Sequence, residues 1–247
     1  LGEPDFAPPE VAVEALIEAV RAGKNHYGPS SGIPELREEI ALNYRKYRDD
    51  TSVESVVVTN SASEALMSCA LAFFDASDEI LVPNPGFVLY KPQVQICKAV
   101  PVPYTLHREY NFVPQIDELE NLVSARTKAI VFNSPSNPTG AVYNRHDVKD
   151  LLNFARDHEL LVISDEVYDH MVYDDAHQSF FGDYDNVIVI NSFSKRFAMT
   201  GWRLGYAVLR PELAKALTIA HYHTVACPST PYQWAALAAL RSGEDYT

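Results

Sequence analysis

The chain is poor in the residues that build disulfide-stapled, metal-bound or membrane-spanning proteins. Among 247 residues it has three cysteines, Cys69, Cys97 and Cys227. The count is odd and no pair has a Cys-x-x-Cys spacing, which argues against a disulfide framework or a zinc site and for reduced thiols. No apolar run approaches the roughly 20 residues that cross a bilayer. No basic stretch followed by an apolar one marks a signal peptide. Positive charge is scarce: 20 Lys and Arg stand against 33 Asp and Glu, a net charge of −13. A nucleic-acid binder needs a basic face, and an anionic membrane surface attracts cations, so both partners are disfavoured. A soluble, cytoplasmic setting fits this balance. The ten glycines form neither a Walker loop nor a dinucleotide fingerprint.

Apolar residues are plentiful. Hydrophobic residues make up 47% and aromatic ones 11%, which excludes a disordered chain. The length suits one large domain or two small ones. The sequence starts at Leu1, not Met, and both ends are abrupt. It is therefore expected to be part of a longer polypeptide.

Helix and strand patterns alternate along the chain. Apolar residues recur at helical spacing over 10–22, 34–47, 62–74, 145–158, 212–223 and 232–240. Short runs rich in β-branched residues lie between them, at 55–59, 79–82, 99–103, 129–132, 160–164, 187–191 and 204–209. This order predicts an α/β fold with three layers, a mostly parallel sheet between helices. Glu244 and Asp245 read as a solvated helix exit. His221 and His223 lie two apart, so a helix points them to different faces, and no metal site is read there.

In such a sheet, ligands sit beyond the carboxyl ends of the strands. Four polar segments follow predicted strands. Ser61-Ala62-Ser63-Glu64 opens a helix; it reads as a capping box and also as an anion site, because free N–H groups and the helix dipole favour phosphate. Asn133 to Gly140 contains Asn137 flanked by prolines, an ordinary turn composition that also fixes an amide at a strand end. Asp165 follows an apolar strand; it is either a helix cap or a buried carboxylate in need of a cation. Lys195 follows Ser192-Phe193-Ser194. A loop lysine is usually solvated, but an amine there can form a Schiff base with an aldehyde. Arg203 lies eight residues on and suits bidentate phosphate binding, or a plain surface ion pair. Each segment alone is ambiguous. Together they supply a phosphate cradle, a carboxylate for a ring nitrogen and an imine-forming lysine, the parts that pyridoxal 5′-phosphate demands.

The combination of Asn137-Pro-Thr-Gly140, Asp165-Glu-Val-Tyr168, Ser192-Phe-Ser-Lys195 and Gly201-Trp-Arg203-Leu-Gly-Tyr206, in that order and spacing, resembles the class I/II aminotransferases, fold-type I pyridoxal-phosphate enzymes. The resemblance runs from Gly2-Glu3-Pro4-Asp5-Phe6 to Gln233-Trp234-Ala235. It implies that Lys195 forms the internal aldimine and shuttles the substrate's α-proton. It implies that Asp165 pairs with the ring nitrogen, and that Asn137 and Tyr168 hydrogen-bond the ring's phenolic oxygen. Phe87 aligns with the aromatic residue stacked on the ring. Ser61, Ala62, Ser63, Ser192 and Arg203 align with the phosphate site, although Ser61 stands where the family often has glycine. Tyr27 matches a tyrosine that reaches the neighbouring subunit's phosphate, which implies a homodimer. Gly2 matches a glycine whose backbone lies near the substrate's carboxylate, and the resemblance makes Asn137 a substrate-binding residue as well.

The same resemblance implies ping-pong transfer of an amino group between an L-amino acid and a 2-oxo acid. It divides the chain into a leading segment, residues 1–24, and the cofactor-binding large domain, 25–247. The family's small C-terminal domain, with its carboxylate-gripping arginine, has no counterpart here. Two alternatives keep parts of this reading. One is another fold-type I enzyme: a C–S lyase, synthase or decarboxylase. The other is a non-catalytic, aminotransferase-like sensor domain of a transcription regulator, which the acidic charge disfavours.

Overall fold

The computed structural model describes residues 2–173 and 176–242. In chain order the first elements are α1 (Glu10–Arg21), α2 (Pro34–Tyr44), β1 (Val56–Thr59), α3 (Ala62–Phe73) and β2 (Glu79–Asn84). Then come α4 (Tyr90–Ile96), β3 (Val100–Thr105), α5 (Ile116–Glu120), β4 (Thr127–Asn133), α6 (Arg145–Asp157) and β5 (Leu161–Asp165). β6 (Val187–Ser192), α7 (Phe193–Arg196), β7 (Gly205–Leu209), α8 (Pro211–Val225) and α9 (Thr230–Ser242) complete the order. The strands form a mixed seven-stranded sheet in the order β1-β7-β6-β5-β4-β2-β3, flanked by helices. This is the expected α/β class. The reading at Glu244 and Asp245 lies outside the described residues.

Two compact units make up the chain. The first contains residues 1–68 and 190–247. Here β1 runs antiparallel to β7, with Thr59 opposite Gly205. Helices α1 and α9 pack together, and α2 and α8 pack on β1. Pro34 and Pro211 occupy the first turns of α2 and α8, where a missing N–H costs nothing. The second unit, residues 69–189, is built on parallel ladders: β2 with β3, β2 with β4, and β4 with β5. Asn144 caps α6, accepting the N–H groups of His146 and Asp147, while Asp147 accepts the N–H of Asn144.

Strands β5 and β6 are buried at every residue, as are the last five residues of β4. That is why they read as continuous apolar runs rather than alternating ones. The parallel register of β4 and β5 sets Asn133 opposite Asp165, so both polar ends emerge side by side. Helices α4, α5 and α7 are absent from the periodicity reading. They have seven, five and four residues, too few to display a helical stripe. Strand β2 continues through Pro83 to Asn84, two residues beyond the 79–82 run read from the sequence. Proline's fixed φ is compatible with extended backbone, and one ladder donor is all it removes. Among the described residues no helix is long and apolar enough to cross a membrane.

Candidate active site

In the first unit, three chain segments meet at the ends of β1, β6 and β7. Gly205 faces Thr59 across the ladder. A methyl group on Gly205 would lie 2.6 Å from Ala62 N, 2.7 Å from the Ser61 carbonyl carbon and 2.9 Å from Asn191 O. Backbone, not side chain, fills that space, so only glycine lets the 61–62 turn pack on β7. We expect Gly205→Ala to cost about 3 kcal/mol, read as a lower urea midpoint at unchanged slope.

Ser61 is buried and holds φ at +83°, a left-handed conformation that a serine pays about 1–2 kcal/mol to adopt. Its carbonyl accepts the Thr59 hydroxyl at 3.0 Å and the Ala65 N–H at 3.1 Å. The backbone thus keeps the shape that a glycine would take freely, with a serine in its place. The capping box expected here closes differently. Glu64 accepts the N–H of Asn60 at 3.1 Å, one residue earlier than a capping box requires.

Lys195 sits on α7, a single turn beginning where β6 ends. Ser192 caps that turn by accepting the Ser194 N–H at 3.1 Å, and the Phe193 N–H reaches the Leu204 carbonyl at 3.2 Å. The Lys195 amine donates to the main-chain oxygen of Gly2. Partial burial lowers its pKa; Glu3 opposes that shift and Arg203 adds to it. A lysine pushed this way holds more free amine at neutral pH, the form that attacks a carbonyl. Glu3 accepts the Thr200 hydroxyl at 3.0 Å, and Arg203 donates to the Thr200 carbonyl at 2.7 Å. Arg203 is exposed, with its backbone in the left-handed region at φ 54°.

In the second unit, the ends of β4 and β5 carry a different set. Asp165 is 3% exposed. Tyr90 donates its hydroxyl to Oδ2 at 2.7 Å, and the Val167 N–H reaches Oδ1 at 3.3 Å. No cation pairs with it among the described residues. Burial raises its pKa to about 6, with the Tyr90 and Val167 donors holding it down and Glu166 pushing it up. Asn133 donates to the main-chain oxygens of Asp165 (2.9 Å) and Pro135 (3.1 Å) and accepts the Asn137 N–H at 2.7 Å. The Asn137 amide then reaches the Tyr168 hydroxyl at 3.4 Å. Burial, then Asp165, raises the Tyr168 pKa, and Asn137 lowers it. The Phe87 and Tyr90 rings meet edge to face, 5.7 Å between centroids.

Adjacent carboxylates in one motif have opposite situations. Glu166 is bonded to Ser164 Oγ, Ser179 Oγ, the Phe180 N–H and His177 Nε2, at 2.8 to 3.0 Å. It is consumed in tying the 177–180 segment to β5. Asp165 keeps capacity for a charged partner. This separates the structural acid from the one available for chemistry.

Each predicted residue thus has a place in one unit. Ser61, Ala62, Ser63, Ser192, Lys195, Arg203 and Gly2 lie in the first; Phe87, Asn137, Asp165 and Tyr168 lie in the second. Tyr27, also in the first, is 90% exposed. Asn133 and Tyr90 were given no role by the sequence reading, Glu64 only that of a capping-box partner, and Gly205 only a place in the Gly201–Tyr206 motif. Asn133 lies inside the segment it singled out and could have been found as the residue at the strand end. Nothing in the sequence marks Tyr90, 75 residues from its partner. No group of histidine, cysteine and acidic residues suited to a metal ion occurs among the described residues.

The model of the family "Aminotransferase class I and II" matches residues 1–247. The chain is 41% identical to a probable aspartate aminotransferase of Methanocaldococcus jannaschii, over 99% of this chain and 66% of that protein. It is 37% identical to aromatic-amino-acid aminotransferase 2 of Thermococcus litoralis, over 98% of this chain and 64% of that one. A solved structure of a Thermus thermophilus aspartate aminotransferase double mutant superposes with a TM-score of 0.95 at 38% identity, covering 98% of this chain and 64% of that one. The chain therefore spans about two thirds of the length of these relatives. By sequence and by fold, it belongs to the class I and II aminotransferases.

Proposed function

We propose that this chain carries the cofactor-binding part of a pyridoxal 5′-phosphate-dependent aminotransferase. It would move an amino group from an L-amino acid to a 2-oxo acid in two half-reactions. The observation that carries the reading is Lys195: a part-buried lysine with a lowered pKa, fixed on a capped single turn at a strand end, in a chain of this family.

The donor set fits the cofactor. Arg203, the hydroxyls of Ser61, Ser63 and Ser192 and the first N–H groups of α3 suit a phosphate. Asp165 suits a protonated ring nitrogen, since a buried carboxylate without a cation gains most from acquiring one. Asn137 and Tyr168 offer hydrogen bonds to a phenolic oxygen, and Phe87 offers a π face. When bound, the cofactor supplies an aldehyde for amine exchange and an electron sink for the substrate's α-carbon. Lys195 Nζ takes the α-proton and returns it. Asp165, ionised, keeps the ring nitrogen protonated. Gly2 offers its backbone near the substrate's carboxylate, and Asn137 is a further substrate-binding residue. Tyr27 reaches the neighbouring subunit of a homodimer, and the protein works in the cytoplasm.

Ping-pong kinetics with the full chain test this reading. Aspartate and aromatic donors come first, because relatives bear those names. Parallel double-reciprocal lines are expected; intersecting lines would count against two half-reactions.

Tyr90 provides a pH prediction. Its hydroxyl favours the ionised form of Asp165, so Tyr90→Phe raises that pKa above about 6. The acidic limb of cofactor binding should then move up by about one pH unit, as loss of a hydrogen bond to a charged group implies. Cofactor affinity measured from pH 5 to 8 on both proteins checks the direction.

A further inference from the structure

We propose that His221 and Glu64 are positioning residues for the 60–63 phosphate turn, acting through a bond between α8 and α3. The inference rests on the proposed function and concerns how the phosphate end of that site is held in shape.

His221 is fully buried, as little else with a charge-bearing side chain is in this unit. Its Nδ1 lies 2.9 Å from Glu64 Oε2. Its Nε2 is buried with no hydrogen-bond partner among the described residues. The tautomer with its proton on Nδ1 follows, because a buried N–H at Nε2 would go unsatisfied. Glu64 also takes the Ser68 hydroxyl and the Asn60 N–H. Three donors from three places therefore aim one carboxylate. One of them is the backbone immediately before Ser61.

Two consequences follow. Ser61 holds a left-handed conformation that its own side chain disfavours. Such a turn persists when its surroundings fix both sides. Ala65 and Thr59 fix the carbonyl side, and Glu64 fixes Asn60 on the other. The second consequence is electrostatic. Glu64 lies in the first turn of α3, where a loose carboxylate competes with a phosphate for the same N–H groups and repels it. His221 and Ser68 draw that carboxylate toward α8 and the second turn of α3. His221 is thus needed for the turn's shape and for keeping Glu64 out of the anion's place.

The test uses the full chain stripped of cofactor, with pyridoxal 5′-phosphate, pyridoxal and inorganic phosphate as probes. His221→Leu removes the Nδ1 donor; His221→Asn keeps a donor at the same position. The Leu variant should bind pyridoxal 5′-phosphate and inorganic phosphate about 10–100-fold more weakly, with pyridoxal unchanged. The Asn variant should recover to within about threefold of the wild type. A merely structural role would weaken all three probes alike, and the Asn variant with them. Equal loss for pyridoxal and its phosphate, or no loss in the Leu variant, would overturn the inference while leaving the proposed function intact. A wild-type chain that takes up no pyridoxal 5′-phosphate would overturn the proposed function, and this inference with it. If the Leu variant does not fold, His221→Met, which also removes the Nδ1 donor while filling the buried space with an unbranched apolar side chain, supplies the same comparison.

Discussion

Lys195→Ala is expected to lower transamination by at least about 10⁴-fold, the combined loss of an imine-forming amine and a proton shuttle. Cofactor affinity should fall far less, because the phosphate contacts proposed for Arg203 and the 61–63 turn do not involve Lys195. The pairing of a large kcat loss with a small binding loss is the signature to seek. Lys195→Arg sharpens it. Arginine keeps the charge facing Glu3 but cannot lose its proton or form an imine, so its activity should be as low as that of the alanine variant. Recovery in the arginine variant would mean that charge, not nucleophilicity, is what the position contributes. Single-turnover measurements with a chosen amino acid separate the two effects.

The second large effect is expected at Asp165. Asn is close to Asp in shape but cannot ionise, so Asp165→Asn leaves the buried site filled and removes the charge. Exchange of the substrate's α-hydrogen with solvent should slow by about 10³-fold, the magnitude for a lost electrostatic partner in a dry site. Binding of the cofactor should weaken by only about tenfold. Unchanged exchange in the Asn variant would remove Asp165 from its proposed role.

The same substitution has a consequence for stability. The folded-state pKa of Asp165 is raised to about 6 from an ordinary value of 3.8. Without cofactor, the folded chain therefore holds a proton between about pH 4 and pH 6 that the unfolded chain has released. Its stability falls as pH rises through that window, and Asp165→Asn should flatten the slope. A cation at the ring nitrogen reverses the balance by favouring the carboxylate.

The fold was legible where residues form long repeats. Strands β4, β5 and β6 are buried on both faces, so their apolar runs stand out, and α1, α6 and α8 carry stripes long enough to read. Short elements such as α4, α5 and α7 carry no stripe. The direction of β1 against β7 depends on pairing between residues some 150 apart, for which composition holds no signal. The candidate residues for chemistry were singled out because parallel α/β sheets place polar groups at or just after strand ends. Lys195, Asp165 and Asn137 all sit there. Their supports were not. Tyr90, Asn133 and His221 reach their partners through tertiary packing, and each is an ordinary residue in its own segment. Ser61 shows a limit of a different kind. Its identity departs from the family's glycine, but its φ of +83° retains the glycine-like backbone, which only coordinates reveal.

The central claim is that Lys195 is the amine that meets the cofactor. Its most direct test is to incubate the full chain with pyridoxal 5′-phosphate, reduce with sodium borohydride, digest and map the labelled peptide. The account predicts one equivalent of label per chain on Lys195, within Ser192-Phe193-Ser194-Lys195, and none after Lys195→Ala. Label on another lysine, or no stable label, would contradict it.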